Sequence, residues 1–342
     1  MNNLKKKLAG LYPTKDHAGI YKSGREGYWS NLSKKENKEF LAVISSQGAR
    51  QAVQAVIPKY EDMIFSEKRE AVLELLDHST PGVCIDYGCM WGVLSIGMAK
   101  RGHQVVSVDQ TYFSLNFLKA RIEEESLKGM HLVQDDIKAT KFNNIADFSL
   151  VNGVLEWVPV TEEVDINKYY HKGQGAGVGL DLDSPREMQL SFLKNVRSGL
   201  KEKGKMVLSI ENRHFYQYYM GRKDPHENLL FTTFLPRVIS NIISRIFHKK
   251  EYRSYIYSFR GMKKLVKEAG FSKIEVFMAF PDYHFPELIL PYSKAGLNLY
   301  RKYPNKNRIT KKQKISYYIE YFLIKYLRIK ALSPTIMIVA KK

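Results

Sequence analysis

The run V-C-I-D-Y-G-C-M-W-G from Val83 to Gly92 constrains the fold of this chain more than any other stretch. A short apolar segment ends at Asp86 and breaks into two glycines, Gly88 and Gly92, before a periodic apolar segment begins. A buried strand, a tight loop and a helix whose N-terminal amides face a ligand produce such a pattern. Ordinary strand-to-helix turns also use glycine, so the pattern gains weight only from a second event. After Gly102 the run V-V-S-V-D from Val105 to Asp109 forms another apolar strand closed by an acid. In a mononucleotide-binding half-fold, an acid at the tip of the second strand hydrogen-bonds a ribose diol. Together the two strand ends predict an adenosine-containing ligand.

Strand and helix signals alternate from there. Strands are expected at 83–87, 104–108, 130–133, 147–151, 205–211, 273–280 and 335–340, with helices at 92–101, 112–127, 186–200 and 259–269. Alternation of this kind implies a doubly wound, mainly parallel sheet covered by helices on both faces. Ligands on such sheets bind beyond the C-terminal strand ends, where Gly88, Asp109, Asp136 and Asn152 fall. Residues 1–77 read as a helical lead-in and 78–342 as the main domain, with insertions at 158–184, 212–258 and 281–333 on the acceptor side. The glycines between Gly173 and Gly179 resemble a phosphate loop in composition only; with no preceding strand and no following G-K-S/T, a lid is the expected role.

The 342 residues carry a net charge of +19, which favours nucleic acid, an anionic membrane surface or a phosphorylated substrate; a lysine-rich solvated surface accounts for it equally well. Cys84 and Cys89 are the only cysteines, too few and too close to the strand and loop for a disulfide framework or thiolate metal site. The basic start lacks an apolar signal core and no run of eighteen apolar residues follows, so a reduced, cytoplasmic protein without a bound metal is expected.

Taken in order, these elements resemble the class I S-adenosylmethionine-dependent methyltransferases. I-D-Y-G-C-M-W-G resembles the glycine loop around the methionine moiety, which assigns Asp86, Gly88, Cys89 and Gly92 to the cofactor. V-D at Asp109, followed by Gln110, resembles the acid that holds the ribose hydroxyls. Q-D-D-I resembles the segment beside adenine, with Asp135, Asp136 and Ile137 as its residues and Asp136 the better placed for the exocyclic amine. The segment from Asp147 to Trp157 resembles the fourth strand and its loop, bringing in Asn152 and Gly153. The resemblance implies a Rossmann-like sheet of seven strands, the last one antiparallel and inserted beside the sixth, with a helical N-terminal extension and insertions. It also implies S-adenosyl-L-methionine as cofactor and S-adenosyl-L-homocysteine as product. Tyr28 and Trp29 either cover the cofactor from the lead-in or pack in the core. The glycine spacing of a dinucleotide pyrophosphate loop is absent, which argues against a nicotinamide-dependent dehydrogenase.

Glu156, Trp157, Glu211, His214, His226, Arg253, Tyr255 and Arg260 fall at strand ends or in the insertions that cap them. For a hydroxyl acceptor, His214 or His226 is a general base, because imidazole titrates near neutrality, and each is otherwise a structural hydrogen-bonding residue. Glu156 serves as base or orients a sugar hydroxyl, beside the apolar face of Trp157. The segments Glu211–His226, Tyr252–Gly261 and Phe280–Pro286 resemble uncharacterised methyltransferases of bacterial glycan pathways. That resemblance implies O-methylation of a sugar, glycoconjugate or related small molecule, phosphorylated or lipid-linked. Two other readings stand beside it: a nucleic-acid methyltransferase gripping phosphate with its positive surface, and a catalytically inactive scaffold docked on an anionic membrane at its inner face. The second draws on 234–250 and 313–330, whose bulky apolar and basic residues suit an interfacial helix or an amphipathic helix packed on the core.

Overall fold

A computed structural model describes residues 2–25, 29–30, 34–160, 164–165, 184–300 and 311–342. Its strands are β1 (Thr14–Lys15), β2 (Tyr21–Lys22), β3 (Trp29–Ser30), β4 (Val83–Tyr87), β5 (Gln104–Asp109) and β6 (Met130–Gln134). They continue with β7 (Ala146–Asn152), β8 (Val164–Asp165), β9 (Leu200–Glu211), β10 (Ser272–Phe280), β11 (Leu288–Pro291) and β12 (Thr335–Lys341). The main sheet runs β1-β2-β6-β5-β4-β7-β9-β12-β10-β11, and β3 pairs with β8 apart from it. At its centre β4 lies parallel between β5 and β7, flanked in turn by β6 and β9, also parallel. β12 is antiparallel to both β9 and β10 and sits between them.

The strand sequences dictate this burial. Along β5 and β12, alternate residues go to opposite faces, the period of an extended chain. Val106, Val108, Ile336 and Ile338 join the cluster that also holds Phe192, Val196, Met262 and Leu265. Val105, Met337 and Val339 join Leu94 and Met98 on the other face. Helices on both faces therefore bury the sheet on both sides. The helix Pro185–Gly199 starts with a reciprocal capping box between Ser184 and Glu187 and a proline in its first turn. The helix Phe259–Glu268 is capped by the Ser258 hydroxyl, which accepts from the Gly261 amide.

The sheet has ten strands where seven were expected. The three extra ones come from outside the alternating core: β1 and β2 from the lead-in extend the β6 edge, and β11 from the third insertion pairs with β10. The lead-in is otherwise helical, with a break inside its longest helical stretch. Lys34–Gln47 and Ala49–Val56 are separated by Gly48 at φ +89°, in the left-handed region. The 173–179 glycines lie outside the described residues.

In the second insertion, the helix Arg237–His248 departs from the core-packed amphipathic pattern. Its buried residues are Ser240 and Ser244, while Val238 is 72% exposed, Ile242 53%, Ile246 61% and Phe247 71%. Among the described residues, no helix is long and apolar enough to cross a membrane.

Candidate active site

Beyond the C-terminal ends of the parallel strands lies a cleft of about 260 Å³. One end is built by the glycine loop after β4. Gly88, Met90 and Gly92 all have positive φ, at 69°, 47° and 74°, and the Gly88 and Cys89 amides donate to the Val108 carbonyl at 2.8 and 3.1 Å. Glycine is required twice. A Cβ on Gly92 would lie 2.2 Å from Leu118 Cδ1, and one on Gly88 2.9 Å from Val154 Cγ2. The turn is fixed to the tip of β5, where the Met90 amide donates to Asp109 Oδ2 and the Thr111 amide to Oδ1, each at 2.8 Å. Burial pushes the Asp109 carboxyl up to about 6 despite these hydrogen bonds.

Gly88, Asp109, Gln110, Asp136, Ile137 and Gly153 all line this end of the cleft. Asp136 accepts from the Lys138 amide at 3.0 Å and leaves its side chain at the cavity. The adjacent Asp135 is buried and engaged elsewhere: Arg25 donates to both its oxygens, at 2.8 and 3.1 Å, and the Tyr12 hydroxyl donates at 2.9 Å. Asp86 does not line the cleft. It lies beneath the loop, accepting from Ser95 Oγ at 2.7 Å, and burial raises its carboxyl to about 6. Cys89, Gly92 and Asn152 likewise lie next to the lining rather than in it. Tyr28 and the Trp29 side chain fall outside the described residues; the Trp29 backbone pairs with Val164.

The other end joins elements far apart in sequence. Glu156 sits on the turn Leu155–Trp157 just past β7, Glu211 ends β9, and His226 comes from the second insertion. His226 Nε2 is 3.5 Å from Glu211 Oε2 and 3.8 Å from Glu156 Oε1, and its Nδ1 is 3.3 Å from Asp224 Oδ1. Trp157 meets the imidazole edge-on, with ring centroids 5.0 Å apart. Glu211, together with Asp224 and Glu156, raises the His226 imidazole well above its ordinary value against the opposing effect of burial. Burial and Glu156 raise Glu211, offset in part by His226.

Glu211, His226 and Trp157 line the cleft, and Glu156 is wholly buried behind them. His214 is not part of this group. Its ring stacks on Tyr219 and its Nδ1 lies 2.7 Å from the Tyr219 hydroxyl, away from the cavity. Arg253 Nε donates to the Pro159 carbonyl at 2.9 Å, tying two insertions together. Tyr255 stacks against the Arg237 guanidinium, and Arg260 is exposed at the start of its helix. None of these three lines the cleft.

Tyr60 and Met63 of the lead-in carry no sequence signal, and Tyr283 and His284 lie in the segment Phe280–Pro286 without being distinguished there, yet all of them line the cleft. The Tyr283 hydroxyl donates to Glu211 Oε1 at 3.2 Å, and its ring stacks on His284. Burial and the nearby Arg69 guanidinium hold the His284 imidazole below its ordinary value.

Residues 57–172 match the model of a family described as Tellurite resistance protein TehB. The sequence matches no curated protein at a significant level. Among solved structures, phosphoethanolamine N-methyltransferase 2 from Haemonchus contortus, in complex with phosphomonomethylethanolamine and S-adenosylhomocysteine, is similar. Its identity is 14% and its TM-score 0.47, over 92% of this chain and 61% of that one, so this chain spans about three fifths of its length. Geranyl diphosphate C-methyltransferase from Streptomyces coelicolor A3(2) is similar at 14% identity and TM-score 0.46, over 98% of this chain and 97% of that one. A SAM-dependent methyltransferase from Thermotoga maritima is similar at 12% identity and TM-score 0.44, over 86% and 97%.

Proposed function

We propose that this protein is an S-adenosylmethionine-dependent methyltransferase that methylates a hydroxyl of a sugar or glycoconjugate. The observation that carries the reading is the single cleft that joins the glycine loop and the strand-end acids Asp109 and Asp136 to the cluster of Glu211 and His226 beside Trp157. The first end suits an adenosine ligand: Asp109 faces the ribose hydroxyls and Asp136 the exocyclic amine. The second end offers what a hydroxyl acceptor needs, a group to take its proton and a flat apolar wall for a sugar ring.

The cofactor's sulfonium supplies an electrophilic methyl carbon, so the chain's work is alignment and proton removal. Glu156, Glu211 and His226 converge where the acceptor oxygen would sit, whereas His214 lies away from it. His284 and Tyr283 wall the same space. The TehB model match over 57–172 covers β4 through Trp157 and supports the cofactor half of the reading.

Isothermal titration with S-adenosylmethionine and S-adenosylhomocysteine, with NAD as control, tests it first. Micromolar binding of the first two is expected, followed by transfer of labelled methyl to sugar or lipid-linked sugar acceptors. Absence of binding by folded protein would overturn the enzymatic reading. Transfer to RNA with steep salt dependence, and none to sugars, would replace the acceptor class with nucleic acid.

A further inference from the structure

We propose that Glu156, Glu211 and His226 form a binding site for one divalent cation at the acceptor end of the cleft. This deepens the methyltransferase reading and rests on it for the cation's role, though not for its binding. One oxygen or nitrogen from each residue can be chosen so that all three lie within 4.8 Å of one another. The imidazole Nε2 is 3.5 Å from one carboxylate and 3.8 Å from the other, too far for hydrogen bonds. Donors bound at about 2.0–2.2 Å to a shared ion stand roughly 3–3.5 Å apart, so the imidazole–carboxylate pairs need contract by less than about 1 Å and the set as a whole, within 4.8 Å, by up to about 1.5 Å.

The second observation is independent of the clustering. Glu156 is 0% exposed and neither of its carboxylate oxygens has a hydrogen-bond partner; Glu211 Oε2 also lacks one. A buried carboxylate without a hydrogen-bond donor is costly; only the charge of the His226 imidazole, 3.5 and 3.8 Å away, offsets these two, and a divalent ion taking the place of its proton would bind both directly. The surroundings orient the ligands as metal sites do. Asp224 faces His226 Nδ1 at 3.3 Å, leaving Nε2 toward the carboxylates, where a bound ion would replace its proton. Asp224 is itself held by the Tyr252 hydroxyl at 2.6 Å and the His226 amide at 2.8 Å. Tyr283 takes Glu211 Oε1 and leaves Oε2 to face the imidazole.

Two carboxylates and one imidazole suit a first-row cation such as Mn²⁺ and leave coordination positions open on the cleft side. Adjacent oxygens of a vicinal diol would fill them, which selects sugars over isolated alcohols. The cation acidifies the bound hydroxyl, and the proton passes to the neighbouring His284 imidazole. The oxygen then forms its bond to the methyl carbon as the carbon–sulfur pair returns to sulfur, converting sulfonium to thioether.

Titration of metal-stripped protein with Mn²⁺, followed by electron paramagnetic resonance, is the test. One ion per chain is expected, with a nitrogen coupling that disappears in His226→Gln, and loss of binding in Glu156→Gln and Glu211→Gln. Asp224→Asn should weaken it about 10–100-fold. Circular dichroism and S-adenosylmethionine affinity report whether each variant folds. No Mn²⁺ or Zn²⁺ binding at millimolar concentration, or binding retained in both folded glutamine variants, overturns the site. Cofactor binding without cation binding defeats this proposal alone, whereas cation binding without cofactor binding defeats the methyltransferase reading alone.

A separate observation carries a second inference. The helix Arg237–His248 turns its serines inward and Val238, Ile242, Ile246 and Phe247 outward. Lys249 and Lys250 follow the helix, and Arg245 on it pairs with Glu251, in a chain of net charge +19. We infer that this face seats on an anionic lipid surface, its apolar side chains at the acyl boundary and its basic residues at the headgroups. The full chain should sediment with phosphatidylglycerol-containing vesicles far more than with phosphatidylcholine vesicles. Ile242→Glu with Phe247→Glu should abolish the difference while sparing S-adenosylmethionine affinity. Equal sedimentation of wild type and double variant would overturn it. So would a wild-type dimer that the double variant converts to monomer without wild-type vesicle binding.

Discussion

Asp109 is held by two backbone amides yet raised to about 6 by burial. Its ionised form is the one that accepts from ribose hydroxyls. S-adenosylmethionine affinity should therefore be level above about pH 6 and fall below it, approaching tenfold per pH unit, as titration calorimetry across pH 4.5–8 would show. Asp109→Ala should weaken cofactor binding by about 2–3 kcal/mol, the scale of hydrogen bonds to a charged group; unchanged affinity in a folded variant would remove Asp109 from the cofactor site. At Gly92 the penalty is steric and conformational together, because Leu118 fills the space a Cβ needs. Gly92→Ala should cost at least ~1–2 kcal/mol from the left-handed backbone alone, measurable by urea denaturation. Both residues were legible in the sequence because their constraints are local: a turn that only glycine can make, and an acid one strand away. Which of Asp135 and Asp136 is left at the cleft depends on a non-local partner, Arg25, which engages Asp135 from more than a hundred positions earlier. The place of His214 after β9 suits either a base or a structural hydrogen bond, and a neighbour five residues on, Tyr219, engages its ring.

The lead-in behaves as part of the sheet layer. β2 pairs with β6, and Arg25 and Tyr12 meet on the buried carboxylate of Asp135. Asp135→Asn should loosen this attachment by roughly 1–2 kcal/mol, less than a fully buried pair because Arg25 is half exposed. Faster hydrogen exchange in 12–25, with β9 and β12 unchanged, would be the signature. The central strands matched their expected ranges closely, since unbroken β-branched runs bounded by glycine and acid have few alternatives. The extra strands were not legible: β1 and β2 are two residues each, and only tertiary pairing makes them strands. The helix Arg237–His248 shows the limit of periodicity, which reports that a helix has an apolar face but not which way that face turns.

At the scale of the molecule, the cleft is assembled from the lead-in, five strand ends and three insertions, so its acceptor half could not be read from any single stretch. Tyr60, Tyr283 and His284 reach it only through the complete tertiary structure. Tyr283→Phe should leave cofactor affinity unchanged and reduce methyl transfer severalfold, because it removes the donor to Glu211 while retaining the ring; steady-state assays with the identified acceptor would check this. The position of β12 has a consequence for the order of assembly. Its residues 335–341 register against β9 on one side and β10 on the other. β9 and β10 are synthesised well before the strand that joins them, so each spends that interval with an unpaired edge. The seam of the sheet is therefore its last closure, and a nascent chain waiting for it presents two adhesive strand edges, which makes that interval the one in which a chaperone would matter most.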